Sequence, residues 1–327
     1  MFFRETTLIS YGDFLDVYHK LKQKRLRKLF AVFSLKPNKR VSGKWDTYKT
    51  SSDFWIIPEL IRYWNKKISG DAAIEYEAYV SKKYLSEKRG LRLLSVGCGE
   101  GVHERNFAKQ SRFSEIIGVD LSEKRIQTAS KQAREKKLPI SYFSEDFRTL
   151  NFQKASFDVI LFNASLHHFD KIAFFLKNDI KPLLKNDGIL VINEYSGPNR
   201  LQWTNQQLEA ANKLLKTLPK KYKILIDGKT EKKKVYRPGL LRMLMVDPSE
   251  APDSKNLLSA LHQNFEILEE TKLGGNLLHC LLKGIAHNFL SPNIETKEIL
   301  ERLIATEETF VDKENTSDNI FGVYKKP

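Results

Sequence analysis

Cysteine is nearly absent from this 327-residue chain: Cys98 and Cys280 are far apart and sit in apolar contexts. That excludes a disulfide framework and points to a reducing, cytoplasmic compartment. Long apolar runs are missing as well. None approaches the roughly 18 residues of a spanning helix, so no transmembrane segment is expected. The opening stretch MFFRETTLISYGDF carries Arg4, Glu5 and Asp13 with no apolar core ahead of a cleavage site, which argues against a signal peptide. No internal repeat is found, which removes repeat arrays. What is present is a 41% hydrophobic composition, enough to build a core.

The net charge of +15 is uneven. Residues 1–50 hold 12 Lys/Arg against 4 Asp/Glu, and residues 213–242 hold 11 against 2, while the remainder is close to neutral. Two basic patches on a neutral body suggest an anionic partner such as nucleic acid, a phosphorylated substrate or a lipid surface; solvated charge is the plain alternative.

Between 91 and 195, short apolar runs alternate with amphipathic stretches, the pattern of a parallel sheet flanked by helices. The runs are 91–97, 115–120, 140–143, 157–163 and 188–194, with helices expected near 102–110, 123–136, 168–185 and 201–217. Further strands are expected over 265–271 and 319–325, with helices over 277–289 and 296–308 between them. Upstream of 91 the chain reads as helical, through Leu60-Ile-Arg-Tyr-Trp and Tyr76-Glu-Ala-Tyr-Val.

After the first run comes VGCGEG, with Gly97, Gly99 and Gly101 at alternate positions and Val102 where a dinucleotide motif has its last glycine. Three glycines ahead of a helix allow an anion or a ligand to approach the backbone. Asp120 ends the second run about 20 residues on, where an acid can accept both hydroxyls of a ribose. Asp146 follows the third run, and Asn163 ends the fourth. Helix caps and a tight turn are the plain alternatives for these residues.

Taken together, LLSVGCGEG, GVDLS, SEDF, FDVILFNASLHHF and LLKNDGILVINEY resemble the class I S-adenosylmethionine-dependent methyltransferase family, in its order and spacing. The resemblance implies an α/β fold with a Rossmann-like, seven-stranded, mostly parallel sheet. It implies S-adenosylmethionine as cofactor, S-adenosylhomocysteine as product and no metal. By the same resemblance Gly97, Gly99 and Gly101, with Cys98 between them, line the methionine part. Asp120, with Leu121 beside it, binds the ribose; Asp146 and Phe147 flank the adenine; Asn163 and Ala164 close the pocket at the sulfonium. The expected organisation is an N-terminal helical cap (1–85), the cofactor-binding core (86–197), a lid or substrate-recognition insertion (198–260) and a C-terminal part completing the sheet (261–327).

Methyl transfer from a sulfonium asks mainly for alignment of nucleophile and methyl, and a hydroxyl nucleophile also needs a proton acceptor. His167 and His168 follow the fourth strand, in the family position that faces the substrate, and Glu194 and Tyr195 end the fifth as rivals. There is no N-P-P-Y signature for planar nitrogen, no catalytic cysteine pair and no evident divalent-metal site. Arg200, Trp203, Tyr236 and Arg237 in the insertion are candidates for reading a polar, anionic or sugar-like acceptor, although Trp203 also suits a packing role. The reading is an O-methyltransferase for a small polar or glycan-type acceptor. An RNA methyltransferase using the basic patches and a non-catalytic cofactor-binding protein are the alternatives. Near the N-terminus, Tyr18, Leu21, Leu26, Leu29, Phe30 and Phe33 share one helical face, which favours a helix covering the cofactor cleft over one lying on a membrane.

Overall fold

A computed structural model describes residues 6–14 and 52–327. The amphipathic segment over 18–33 lies outside the described residues. So does most of the N-terminal basic stretch.

Seven strands form one sheet in the order β3-β2-β1-β4-β5-β7-β6. They are β1 (Leu91–Val96), β2 (Phe113–Asp120), β3 (Ile140–Ser144), β4 (Phe157–Asn163), β5 (Leu184–Tyr195), β6 (Glu266–Gly274) and β7 (Asn319–Lys325). Strands β1 to β5 are parallel, and β7 runs antiparallel between β5 and β6. The central strands are buried on both faces, which is why their sequences read as continuous apolar runs rather than as alternation.

Successive side chains on a strand point to opposite faces, so each central strand feeds two cores. On one face Leu93, Val159, Leu161, Val191 and Val323 pack with α1 (Pro58–Ser69), α2 (Tyr76–Tyr84) and α3 (Val102–Ala108). Leu60, Trp64 and Ile68 of α1 recur every four residues and bury a single stripe. The other face, with Leu94, Ile160, Phe162, Leu190 and Ile192, packs with the short α5 (Ile172–Phe175) and α8 (Leu257–Asn264). Between them in chain order are α4 (Glu123–Glu135), α6 (Asn205–Thr217) and α7 (Leu240–Val246); α9 (Leu278–Leu282) and α10 (Ile294–Glu314) follow α8.

Three helices are shorter or begin later than the sequence pattern suggests. The expected helix over 168–185 starts at Ile172, after Lys171 in a left-handed conformation, and ends in a π turn, Leu176–Ile180. Helix α6 starts at Asn205 rather than 201. Leu201 has φ +53°, and a capping box between Thr204 and Gln207 supplies the start. The expected helix over 277–289 breaks after α9, where Gly284 takes φ +84°.

Asp318, at the entry to β7, is buried and accepts a hydrogen bond from Gln207 Nε2 at 2.8 Å. Burial lifts its carboxyl to about 8, against the opposing effect of Gln207. An unfolded Asp ionises near about 3.9, so the folded chain holds one more proton between the two values. The stabilising contribution is fully present below about pH 4 and is lost as pH rises through about 8. Asp318→Asn keeps the Gln207 bond and has no proton to lose. Thermal melts from pH 5 to 9 should show a smaller loss of stability in the variant, by a difference on the order of 1–3 kcal/mol. Equal pH slopes in the two proteins would contradict this.

Candidate active site

The carboxyl ends of β1, β2, β4 and β5 converge on one edge of the sheet. A cavity of about 210 Å³ opens there, its walls including Gly97, Asp120, Leu121, Asp146, Phe147, Ala164, Ser165, His168 and Ser249.

The glycine loop is shaped by its protein neighbours. Gly97, with φ +78°, donates to Val119 O at 2.7 Å, and a Cβ there would lie 2.4 Å from Ser165 Cβ. At Gly101, φ +73°, a Cβ would lie 2.2 Å from the Tyr142 hydroxyl. Of the three glycines Gly97 lines the cavity, while Gly99 and Gly101 hold the turn behind it. Cys98 is buried away from the cavity, and burial pushes its thiol well up.

Asp120 ties two elements to this loop. Its Oδ2 accepts from Gly99 N at 2.9 Å and its Oδ1 from Ser122 N at 2.8 Å. Ser122, not Asp120, caps α4. Each Asp120 oxygen, taking one N–H here, keeps lone-pair capacity for a ligand hydroxyl at the cavity wall. Asp146 caps the turn Phe147–Thr149 through Arg148 N at 3.0 Å. Asn163 points elsewhere: its Oδ1 accepts from Tyr76 Oη at 3.2 Å and Asn193 Nδ2 at 3.0 Å. Ala164 follows at φ +49°, a conformation unusual outside glycine that turns the chain into the cavity wall.

Behind that wall lies Glu194, 1% exposed. Its Oε1 accepts from Ser165 N and Leu166 N, both at 2.6 Å, and its Oε2 lies 2.7 Å from His167 Nδ1. A carboxylate that takes two backbone N–H groups takes the imidazole N–H as well, so Nδ1 of His167 carries the proton. His167 Nε2 lies 3.8 Å from Glu250 Oε1, so the ring is bracketed by two carboxylates and is buried. Tyr195 is buried too. Its hydroxyl donates to Pro198 O at 3.0 Å, and burial holds its phenol well above the ordinary range, unsuited to accept a proton.

His168 has a different setting. It lines the cavity, its ring 4.3 Å from that of His167. Its Nδ1 lies 3.1 Å from Ser249 O and 3.2 Å from Ser249 Oγ. A carbonyl can only accept, so Nδ1 is the protonated nitrogen, and Nε2 is the basic one in the neutral ring. Ser249 Oγ in turn donates to buried Asp247 Oδ1 at 2.6 Å. His168, Asp247 and Glu250 also bring one donor atom each within 4.8 Å of one another, among the described residues the one group with the make-up of a cation site.

The four insertion residues singled out from sequence do not line this cavity. Arg200 donates through Nη1 to Pro248 O and, at 3.1 Å, to Glu250 O, clamping the loop that carries Ser249. Trp203 is 2% exposed, and its carbonyl accepts from Arg237 Nε at 2.7 Å. Tyr236 packs on Tyr11 with ring centroids 5.7 Å apart. Ser165, Asp247, Ser249 and Glu250 were missed. Three of them lie in the Pro-containing stretch Asp-Pro-Ser-Glu-Ala, 247–251, and only the fold shows that it returns to the histidines.

A family model described as a methyltransferase domain matches residues 87–241. A ubiquinone biosynthesis O-methyltransferase of Pelagibacter ubique is 35% identical over 32% of this chain and 42% of its own length. A malonyl-[acyl-carrier protein] O-methyltransferase of Bacillus cereus is 29% identical over 40% of this chain and 51% of its own. A ubiquinone biosynthesis O-methyltransferase of Rhizobium rhizogenes is 26% identical over 55% and 72%. The chain spans about half the length of the first two relatives. No helix among the described residues is long and apolar enough to cross a membrane. The domain match covers the strand ends that form the cavity, so residues 87–241 are similar to a methyltransferase domain, and the seven-stranded sheet with antiparallel β7 agrees with the class I S-adenosylmethionine-dependent fold that the motifs resemble.

Proposed function

We propose that the chain methylates an oxygen of a small polar acceptor, with S-adenosylmethionine as donor and His168 as proton acceptor. The observation that carries this is the paired placement on one cavity wall of Asp120 and of a histidine whose tautomer is fixed by Ser249. The residues present fit the cofactor. Asp120 retains acceptor capacity for ribose hydroxyls, Phe147 and Leu121 offer apolar surface to a base, and Gly97 leaves no side chain in the way. When bound, the cofactor supplies an electrophilic methyl group on a sulfonium.

The protein's own part is to align and to take a proton. His168 Nε2 faces an acceptor hydroxyl as the basic nitrogen, because Nδ1 is committed to Ser249. Asp247 holds Ser249 through its hydroxyl and, at 3.0 Å, its N–H, and so sets the ring's orientation. Glu194 and His167 support the wall from behind. The names of the relatives, a ubiquinone biosynthesis O-methyltransferase and a malonyl-[acyl-carrier protein] O-methyltransferase, favour oxygen here. The insertion 198–260, by delivering Ser249 and Glu250, acts as the lid and acceptor-side wall.

Asp120→Ala should weaken S-adenosylmethionine binding by roughly 1.5–3 kcal/mol, because hydrogen bonds to a charged acceptor are lost. Calorimetry finding unchanged affinity in a folded variant would remove the ribose assignment. His168→Ala should lower turnover about 10²–10⁴-fold with cofactor affinity nearly constant. The assay follows label from the cofactor into fractionated extract, then into the purified acceptor. Ser249→Ala should lower kcat less and shift the acidic limb of its pH profile, where the base must lose its proton. Full activity in His168→Ala would move the base elsewhere.

A further inference from the structure

A second cavity, about 530 Å³, shares no lining residue with the first. It lies against the segment 232–237 of the insertion. Six cationic residues line it, against two acids, Asp13 and Glu231. The acids are occupied. Asp13 accepts from Ser10 N and Gly239 N and lies 3.7 Å from Arg242 Nη1, offsetting that one cation, and Glu231 pairs with Lys223 outside the cavity at 2.8 Å. Lys232 has its ammonium among the carbonyls of Cys280, Leu281 and Lys283. Lys233, Lys234 and Lys283 are exposed, and among the described residues none of the three makes an ion pair with a carboxylate. Beneath them Arg237 is nine-tenths buried, fixed by Trp203 O, Asn205 Oδ1 at 2.9 Å and Thr7 Oγ1 at 3.3 Å.

Folding has thus gathered like charges around a concavity rather than dispersing them, which costs free energy unless an anion is bound there. Ammonium groups over a fixed guanidinium suit phosphoryl oxygens. The rings of Tyr11 and Tyr236, half facing the same space, give the site an apolar flank that inorganic anions do not need. The volume suits a ligand of nucleotide size. A neighbouring cavity shares Tyr11, Lys233, Lys234 and Tyr236 and adds Lys213 and Lys216, which extends the positive field.

We propose that this cavity is a second binding site, for an organic phosphate of nucleotide-diphosphate size, independent of the cofactor cavity. Its floor and the histidine wall are parts of one segment: Arg242 of α7 lines it, and Asp247 directly follows the last residue of α7, Val246.

The test is calorimetric titration of the full chain with uridine diphosphate and inorganic pyrophosphate, with and without saturating S-adenosylhomocysteine. Saturable one-to-one binding is expected for the nucleotide, tighter than for pyrophosphate and unaffected by S-adenosylhomocysteine. The exposed pair Lys233→Glu/Lys234→Glu should weaken it at least tenfold while melting temperature and S-adenosylhomocysteine affinity hold. Absence of saturable binding overturns the proposal, as does competition by S-adenosylhomocysteine or equal affinity in the charge-reversed protein. Tighter retention of single-stranded RNA or phosphatidylglycerol vesicles, lost in the same variant, assigns the surface to a polyanion instead and overturns it too.

Discussion

The site rests on one buried carboxylate. Glu194 is a charge-bearing side chain in the interior, a costly placement unless its oxygens are fully engaged. Two backbone N–H groups and an imidazole engage them. That requirement fixes the path of residues 165–167 after β4, and with it the wall of the cavity. Ser165 then closes on the glycine loop, its hydroxyl donating to Val96 O at 2.6 Å, so β1, β4 and β5 are locked at their functional ends.

The same device recurs farther along the same edge of the sheet, where β6 ends and β7 begins. Glu307 of α10, also buried, accepts from the N–H groups of Asn276, Leu277 and Leu278 at 2.8–2.9 Å and so organises the start of α9. In both places a carboxylate from a regular element satisfies backbone donors that the turn itself leaves open. The insertion is held differently, by cations on carbonyls: Arg200 on Pro248 and Glu250, and Lys232 on the end of α9. Backbone strain gathers where these loops meet, at Arg200, Leu201 and Ala251, all with positive φ.

The roles of the two histidines separate on this frame. They are adjacent in sequence, yet one is buried between two carboxylates and the other opens on the cavity. Sequence reasoning treated them as equals because the motif LHH carries no information on which ring faces the ligand. A 3-10 turn, Leu166–His168, makes that choice by rotating successive side chains apart.

The sequence by itself determined the positions of the first five strands along the chain and the placement of Asp120 and the glycine loop at strand ends; their order in the sheet is seen only in the structure. Those signals are local: apolar runs of strand length, a glycine at a turn, an acid at a strand end. Its helix ends were less legible, since a left-handed Lys171 or a break at Gly284 leaves little trace in the apolar pattern. Only the tertiary structure decided where the insertion lies. Ser249 and His168 are 81 residues apart, and their contact exists because Arg200 and the positive-φ corner at Ala251 turn the chain back onto the sheet edge. Arg237 and Trp203 read from sequence as candidates for the acceptor, Trp203 with a packing role as its alternative; in the fold the Arg237 guanidinium donates to the Trp203 carbonyl, because a buried guanidinium must find acceptors wherever the packing provides them.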